Sequence, residues 1–191
     1  MKKINFLLAI IFTFTYTNVK GQIYDSNSGY VLQDLPAGSY LQDIQNKINP
    51  FVGIWIWTDG DQTLTIKLEK VEHQYYPQYG SYKDYIIGDY SYTIDNGSTI
   101  VSNTINQSTN LYPDYHSMYA SGPMEDNLLN MSFRDLANPD KPFQTVIFKF
   151  IDGTTNQLSL KIMNHTRGYL AGTPVPNTSF IIPKDIVLTK Q

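Results

Sequence analysis

No cysteine occurs in the 191 residues, which excludes a disulfide framework, a thiolate metal site, a cysteine nucleophile and a lipidated cysteine behind a leader. Charge is scarce too: Asp, Glu, Lys and Arg make up 16%, well under the ~25% usual in soluble domains. The basic residues form no cluster, and a formal charge of −3 gives phosphates no electrostatic footprint, so nucleic acid is not an expected partner. Past the N-terminus, no window approaches ~18 consecutive apolar residues, so no membrane span is expected once a leader is removed. What the chain does have is tyrosine, fifteen of them within a 14% aromatic and 41% hydrophobic composition. Such a content rules out a disordered or collagen-like chain, and the length suits one domain.

The N-terminus carries an address. Lys2 and Lys3 precede an apolar stretch, Phe6 to Phe14, that is too short to cross a ~30 Å hydrocarbon core, and the polar run Thr15–Lys20 follows. This is the layout of a secretory signal peptide over residues 1–21, with Val19 and Gly21 at the −3 and −1 sites and Gln22 as the first mature residue. Removing Lys2, Lys3 and Lys20 leaves 11 basic against 17 acidic residues, a charge of −6. A secreted or periplasmic, mildly acidic product is expected.

Residues 22–49 read as a lead-in segment with one short helix. Leu41, Ile44 and Ile48 fall at helical spacing behind Ser39 as N-cap, with Pro50 beyond the stop. From residue 50 to 191 the period becomes two. Strands are expected near 51–58, 63–72, 84–94, 98–105, 115–121, 127–134, 143–151, 157–163 and 179–189. Asp59-Gly60, Asp95-Asn96-Gly97 and Asp152-Gly153 supply residues that tolerate positive φ, so each should fold the chain back as a hairpin. Leu64, Ile66 and Leu68 alternate with polar neighbours, as do Leu129, Met131 and Phe133, then Val146, Phe148 and Phe150, then Leu158, Leu160 and Ile162. Each strand is therefore apolar on one face. A meander of such strands keeps two open edges unless it closes. The expected fold is all-β, an antiparallel up-and-down β-barrel of 8–9 strands, with a β-sandwich as the alternative.

Asn49-Pro50-Phe51-Val52-Gly53-Ile54-Trp55 sets a G-x-W tripeptide on the first of these strands, which resembles the opening signature of lipocalins and related calycin barrels. The resemblance implies that Trp55 lies on the barrel floor beside Gly53, with a basic residue of the last strand packed across it. Lys190 is the nearest candidate, where the family pattern has arginine, and the long helix that follows such barrels is missing. The leader, the strand Gly53-Ile54-Trp55-Ile56-Trp57, the segment Ile87–Tyr92 and the closing Ile182–Ile186 are similar to a family of uncharacterised secreted proteins of Bacteroidota. That likeness implies a lipocalin-like barrel without implying an activity.

Candidate chemistry is sparse. His73, His116 and His165 are far apart, with no H-x-H or H-E-x-x-H pattern, so no metal is expected and the histidines read as surface or loop residues. No cofactor is implied. Asp59-Gly60-Asp61 lacks the later ligands of a calcium loop and reads as a turn. No serine sits in a G-x-S-x-G elbow, no catalytic residue stands out, and Asp89, Asp114, Glu125 and Asp126 read as solvated charges. The tyrosines are the informative feature. Tyr75, Tyr76, Tyr79, Tyr82 and Tyr85 crowd what reads as a loop over 75–82, and Tyr112, Tyr115 and Tyr119 crowd a later connection. Rings with polar tips stack on sugars or close over apolar ligands, whereas the same residues also serve as ordinary strand formers on a barrel wall.

The reading is a non-catalytic binder of a small apolar or amphipathic molecule, held at a barrel mouth by Trp55, Trp57, Met131, Phe133 and Phe148 and lidded by Tyr75, Tyr76 or Tyr79. A surface carbohydrate- or protein-binding module using the tyrosines is the first alternative, and a hydrolase with an unrecognised site is the second. An interior that is open or packed beside Trp55 separates them.

Overall fold

The computed structural model describes residues 21–108, 111–120, 125–135, 138, 141, 143–163 and 179–191. The signal peptide expected over residues 1–21, apart from Gly21, and His165 lie outside them. Eleven strands are described: β1 (Ile23–Asp25), β2 (Tyr40–Gln42), β3 (Gly53–Asp59), β4 (Gln62–Tyr76), β5 (Ser81–Ile94), β6 (Thr99–Asn103), β7 (Met118–Ala120), β8 (Leu128–Phe133), β9 (Gln144–Phe150), β10 (Gln157–Met163) and β11 (Ile186–Lys190). Eight of them close as an antiparallel barrel in the order β5-β4-β3-β11-β10-β9-β8-β7 and back to β5. Closure excludes the sandwich, and the architecture is compatible with a lipocalin-like fold.

Local chemistry explains the hairpins. Gly60 at φ +57° turns β3 into β4, and Gly153 at φ +78° turns β9 into β10, conformations that cost glycine nothing. The seam joins the first barrel strand to the last, with Trp55 opposite Lys190 and Ile56 opposite Thr189. Alternation then sends one side of every strand to the axis. Leu64, Ile66, Leu68, Leu129, Met131, Phe133, Val146, Phe148, Leu158, Leu160 and Leu188 are each at most 2% exposed and belong to one core cluster. Large side chains from all around the wall meet across the axis, as an eight-stranded barrel allows. Among the described residues the interior is filled.

The wall has one composite edge. While β4 pairs along one side of β5, the other side is divided among three partners: Tyr82 and Lys83 meet β2, Ile86–Gly88 meet β7, and Ser91–Ile94 meet β6. The β2 pairing is parallel, and β1 adds to β2 in parallel as well. The nine sequence-predicted strands match β3 to β11, although the expected 179–189 strand contracts to Ile186–Lys190 and 115–121 to Met118–Ala120.

The expected helix does not form. Tyr40 and Leu41 are strand residues in register with Tyr82 and Lys83, and the only helical turn in this stretch is a short 3₁₀ turn at Asn49–Phe51. The cause is local competition. The Asp43 carboxylate accepts the N–H groups of Lys47 (2.9 Å) and Ile48 (3.1 Å), closing a turn by side chain, while its own N–H donates to Asp84 at 2.9 Å. Leu41 and Ile48 are buried as a helical face would require, yet Ile44 is 51% exposed. The lead-in is thus built into the sheet.

Candidate functional site

Residues 75 and 76 prove to be strand rather than loop, and the turn is confined to 77–80. β4 and β5 extend beyond the barrel as a long hairpin, and a β-bulge sets its faces. Val71 opposes Tyr85 but Gln74 opposes Lys83, so one residue is extra, and His73 sits there at φ +55°. Before the bulge the odd residues of β4 face outward; after it the even ones do. Tyr76 therefore joins Tyr85 and Lys83 on the outer face, whereas Tyr75 turns to the other side beside Tyr82, 5.1 Å away. His73 stacks on Tyr82 at 4.0 Å.

Tyr76 stacks on Tyr85 at 5.4 Å and on Tyr79 at 6.2 Å. Because β7 pairs with β5, Tyr119 comes alongside Ile87, and the chain leading into β7 brings Tyr112, Asp114 and Tyr115 opposite the hairpin tip. These residues, with Tyr76, Pro77 and Gln78, line an open cleft of about 540 Å³. The aromatic surface continues past it, since Tyr119 meets Phe143 edge-on at 5.9 Å and Arg134 lies 4.5 Å over the Phe143 ring. On the other side of Tyr76 a second recess of about 260 Å³ is lined by Leu32, Gln78, Tyr79, Lys83 and Tyr85. Burial raises the Tyr76 and Tyr85 hydroxyls above the ordinary tyrosine value, so both remain protonated donors.

The segment opposite the hairpin is pinned from beneath. Asp89, expected to be solvated, is buried, and so is His116. Asp89 Oδ2 meets His116 Nδ1 at 2.6 Å, and its Oδ1 accepts the Ser117 N–H at 3.0 Å and the Ser117 hydroxyl at 3.1 Å. Thr104 Oγ1 and Ser117 Oγ lie 2.7 Å apart. Burial pushes the Asp89 carboxyl up, but these hydrogen bonds overcome it and leave the group below its ordinary range. The residue types are those of a hydrolytic triad, yet the wiring differs. Serine and histidine both converge on the aspartate, and His116 Nε2 is buried with no hydrogen-bond partner among the described residues, so the histidine is not paired with the Ser117 hydroxyl as a triad requires. The cluster is an anchor for the cleft wall.

A second buried network holds the hairpin's base. Asp84 Oδ1 accepts the Tyr40 hydroxyl at 2.5 Å and the His73 N–H at 3.0 Å, and Lys70 Nζ lies 3.5 Å from Asp43 and 3.2 Å from Glu72. Asp84 thereby fixes the bulge that decides which way Tyr76 points.

The residues singled out from sequence divide by place. Trp55, Met131, Phe133 and Phe148 are at most 2% exposed on the filled axis, and Trp57 packs against the same cluster, so none of them borders the clefts. The Trp55 indole N–H donates to the Phe51 carbonyl at 2.8 Å. Gly53, Trp55 and Lys190 lie together at the seam, with Lys190 Nζ 5.0 Å from the indole ring and donating to the Pro50 carbonyl at 3.2 Å. Tyr76 and Tyr79 border the outer clefts; Tyr75, 44% exposed, lies on the opposite face of the hairpin. Sequence reading missed Lys83 and Gln78, as well as the union of the two tyrosine crowds. The only trace of that union was their shared composition, because the β5–β7 pairing is a long-range contact.

Fold and site define a closed, side-chain-filled antiparallel barrel with an aromatic cleft on its outer wall. The chain belongs to a family of unknown function, DUF6705, whose family model matches residues 1–191. Searches among curated proteins and among solved structures returned no match.

Proposed function

We propose that this protein is a secreted, non-catalytic binding module that takes carbohydrate in the tyrosine cleft on the outside of the barrel. The observation that carries the reading is the placement of Tyr76, Tyr112, Tyr115 and Tyr119 around one open space while the barrel axis is packed with side chains. A tyrosine ring presents a negative face, which attracts the partially positive C–H groups on the face of a pyranose, and its hydroxyl serves the sugar's oxygens. Gln78 and Asp114 add an amide and a carboxylate to the same rim, matching the mixture of apolar walls and few polar groups that specific sites use. An apolar ligand held at the barrel mouth, the first expectation from sequence, draws no support from the packing around Trp55, Phe133 and Phe148, which are fully buried. The basic n-region and short apolar core of residues 2–14 support export.

A glycan microarray followed by calorimetry on the purified protein tests this reading. Saturable binding of an oligosaccharide that weakens about 10–100-fold in Tyr76→Ala, the loss expected when an anchoring aromatic is truncated, supports it. Failure to bind any glycan, with saturable uptake of a fatty acid or hydrophobic dye instead, returns the function to the apolar-ligand reading.

A further inference from the structure

Lys83 stands on the outer face of β5, in register with Leu41 of β2 on one side and Gln74 of β4 on the other. Its ammonium makes no salt bridge and no hydrogen bond among the described residues; its contact is the Tyr85 ring, with Nζ 5.8 Å from the centroid. Half-buried lysines normally reach either a carboxylate or open water. This one lines a recess of about 260 Å³ together with Leu32, Gln78, Tyr79 and Tyr85. Tyr76 and Gln78 border both this recess and the larger cleft, so the two spaces are neighbours. Asp114 lines the larger cleft and not this recess. The two recesses therefore differ in charge, an unpaired cation lining one and a carboxylate lining the other.

Resting on the carbohydrate reading above, we propose that the Lys83 recess is an anionic subsite that selects a glycan carrying a single carboxylate sugar, a hexuronate, with the neutral sugars of the same chain lying over Tyr76 toward Asp114. One lysine without a neighbouring arginine or second lysine suits one carboxylate rather than a phosphate or a sulfated polymer, which gather cationic clusters. The overall negative charge opposes polyanions in the same way. Burial brings Lys83 down to about 8, so at neutral pH it remains mostly charged, and an arriving carboxylate would relieve an ammonium that now lacks a counterion. Asp114 would repel the acid and accept hydroxyl donors, which fixes the direction of the chain.

The test compares three probes on the purified protein by calorimetry: an unbranched neutral xylo-oligosaccharide, the same oligomer bearing one glucuronate, and that branched oligomer as its methyl ester, which keeps the shape and removes the charge. The expected result is binding of the acid about ten-fold tighter than the ester. Lys83→Gln should bring acid and ester to equal affinity, and Lys83→Arg should retain the preference. Equal binding of acid and ester overturns the anionic subsite while leaving the carbohydrate reading intact. An acid preference that survives Lys83→Gln overturns the assignment to Lys83. No binding of any of the three, repeated across a glycan array, overturns both.

Discussion

The Cε atom of Lys190 sits 2.7 Å from the point where a side chain on Gly53 would begin. The last strand thus lays its lysine stem across the bare backbone of the first barrel strand, and the Nζ beyond it rests over the Trp55 ring. Gly53 is also at φ +140°, a conformation that L side chains rarely adopt. Gly53→Ala is expected to destabilise the protein by about 2–4 kcal/mol, combining backbone strain with displacement of the lysine. Lys190→Met keeps most of the packing and loses the cation, for about 0.5–1 kcal/mol. Urea denaturation of the two variants ranks them. A Gly53→Ala protein as stable as the wild type would show that the seam does not depend on this close approach.

Gly88 makes a similar demand inside the barrel. A Cβ there would lie 2.7 Å from Leu68 Cδ2 and 3.2 Å from Met118 Cβ. Since Leu68 and Met118 are themselves fully buried, the neighbours have little room to shift. Gly88→Ala should cost about 1–3 kcal/mol, the usual penalty of overpacking. A neutral or stabilising substitution, measured by thermal unfolding, would reveal free space in the barrel interior.

Asp84 ties β5 to two other pieces of chain, the lead-in through Tyr40 and Asp43 and β4 through His73. Removing it leaves buried donors unpaired and frees the bulge at His73. Asp84→Ala should therefore lose about 3–5 kcal/mol, as when one member of a buried polar network is deleted. It should also weaken glycan binding even at temperatures where the barrel remains folded, because Tyr76 is aimed by that bulge. Retention of full affinity in a folded Asp84→Ala protein would separate the hairpin base from the cleft.

Acid should act on the other wall of the cleft. The Asp89 carboxyl is held below its unfolded value of 3.8, so the stability it contributes is present above that value and is lost as pH falls through its lower folded value. The groups facing it are His116, Ser117 and, through Ser117, Thr104. Unfolding free energy measured from pH 6 down to pH 2 should show a loss in the acid limb that is reduced in Asp89→Asn. Identical slopes for the two proteins would mean that this carboxylate is not coupled to folding.

Much of the fold was legible because period-two alternation and turn chemistry are local. Leu64, Ile66 and Leu68 declare an inward face without knowledge of any partner, and Asp59-Gly60 and Asp152-Gly153 mark where the chain reverses. The seam followed from counting edges. What stayed hidden depends on contacts across the chain. Leu41, Ile44 and Ile48 have helical spacing, but Asp43 and Asp84, 41 residues apart, divert the backbone into a strand and a side-chain turn. Asp89 and His116 are ordinary polar residues in sequence, and only the β5–β7 pairing buries them against each other. The tyrosines of the cleft were conspicuous as composition. Their division into a lining set around Tyr76 and an outlying Tyr75 turns on one inserted residue at His73, which no periodicity announces.

The location of binding can be read directly by titrating the ¹⁵N-labelled protein with the glucuronate-bearing xylo-oligosaccharide and following amide and Trp indole resonances. A site on the outer wall predicts shifts confined to Tyr76, Gln78, Lys83 and Tyr119 and their neighbours, while the Trp55 indole and the amides of Met131, Phe133 and Phe148 stay unmoved. Shifts centred on Trp55, Phe133 and Phe148, with the hairpin tip unchanged, would contradict it and place the ligand inside the barrel.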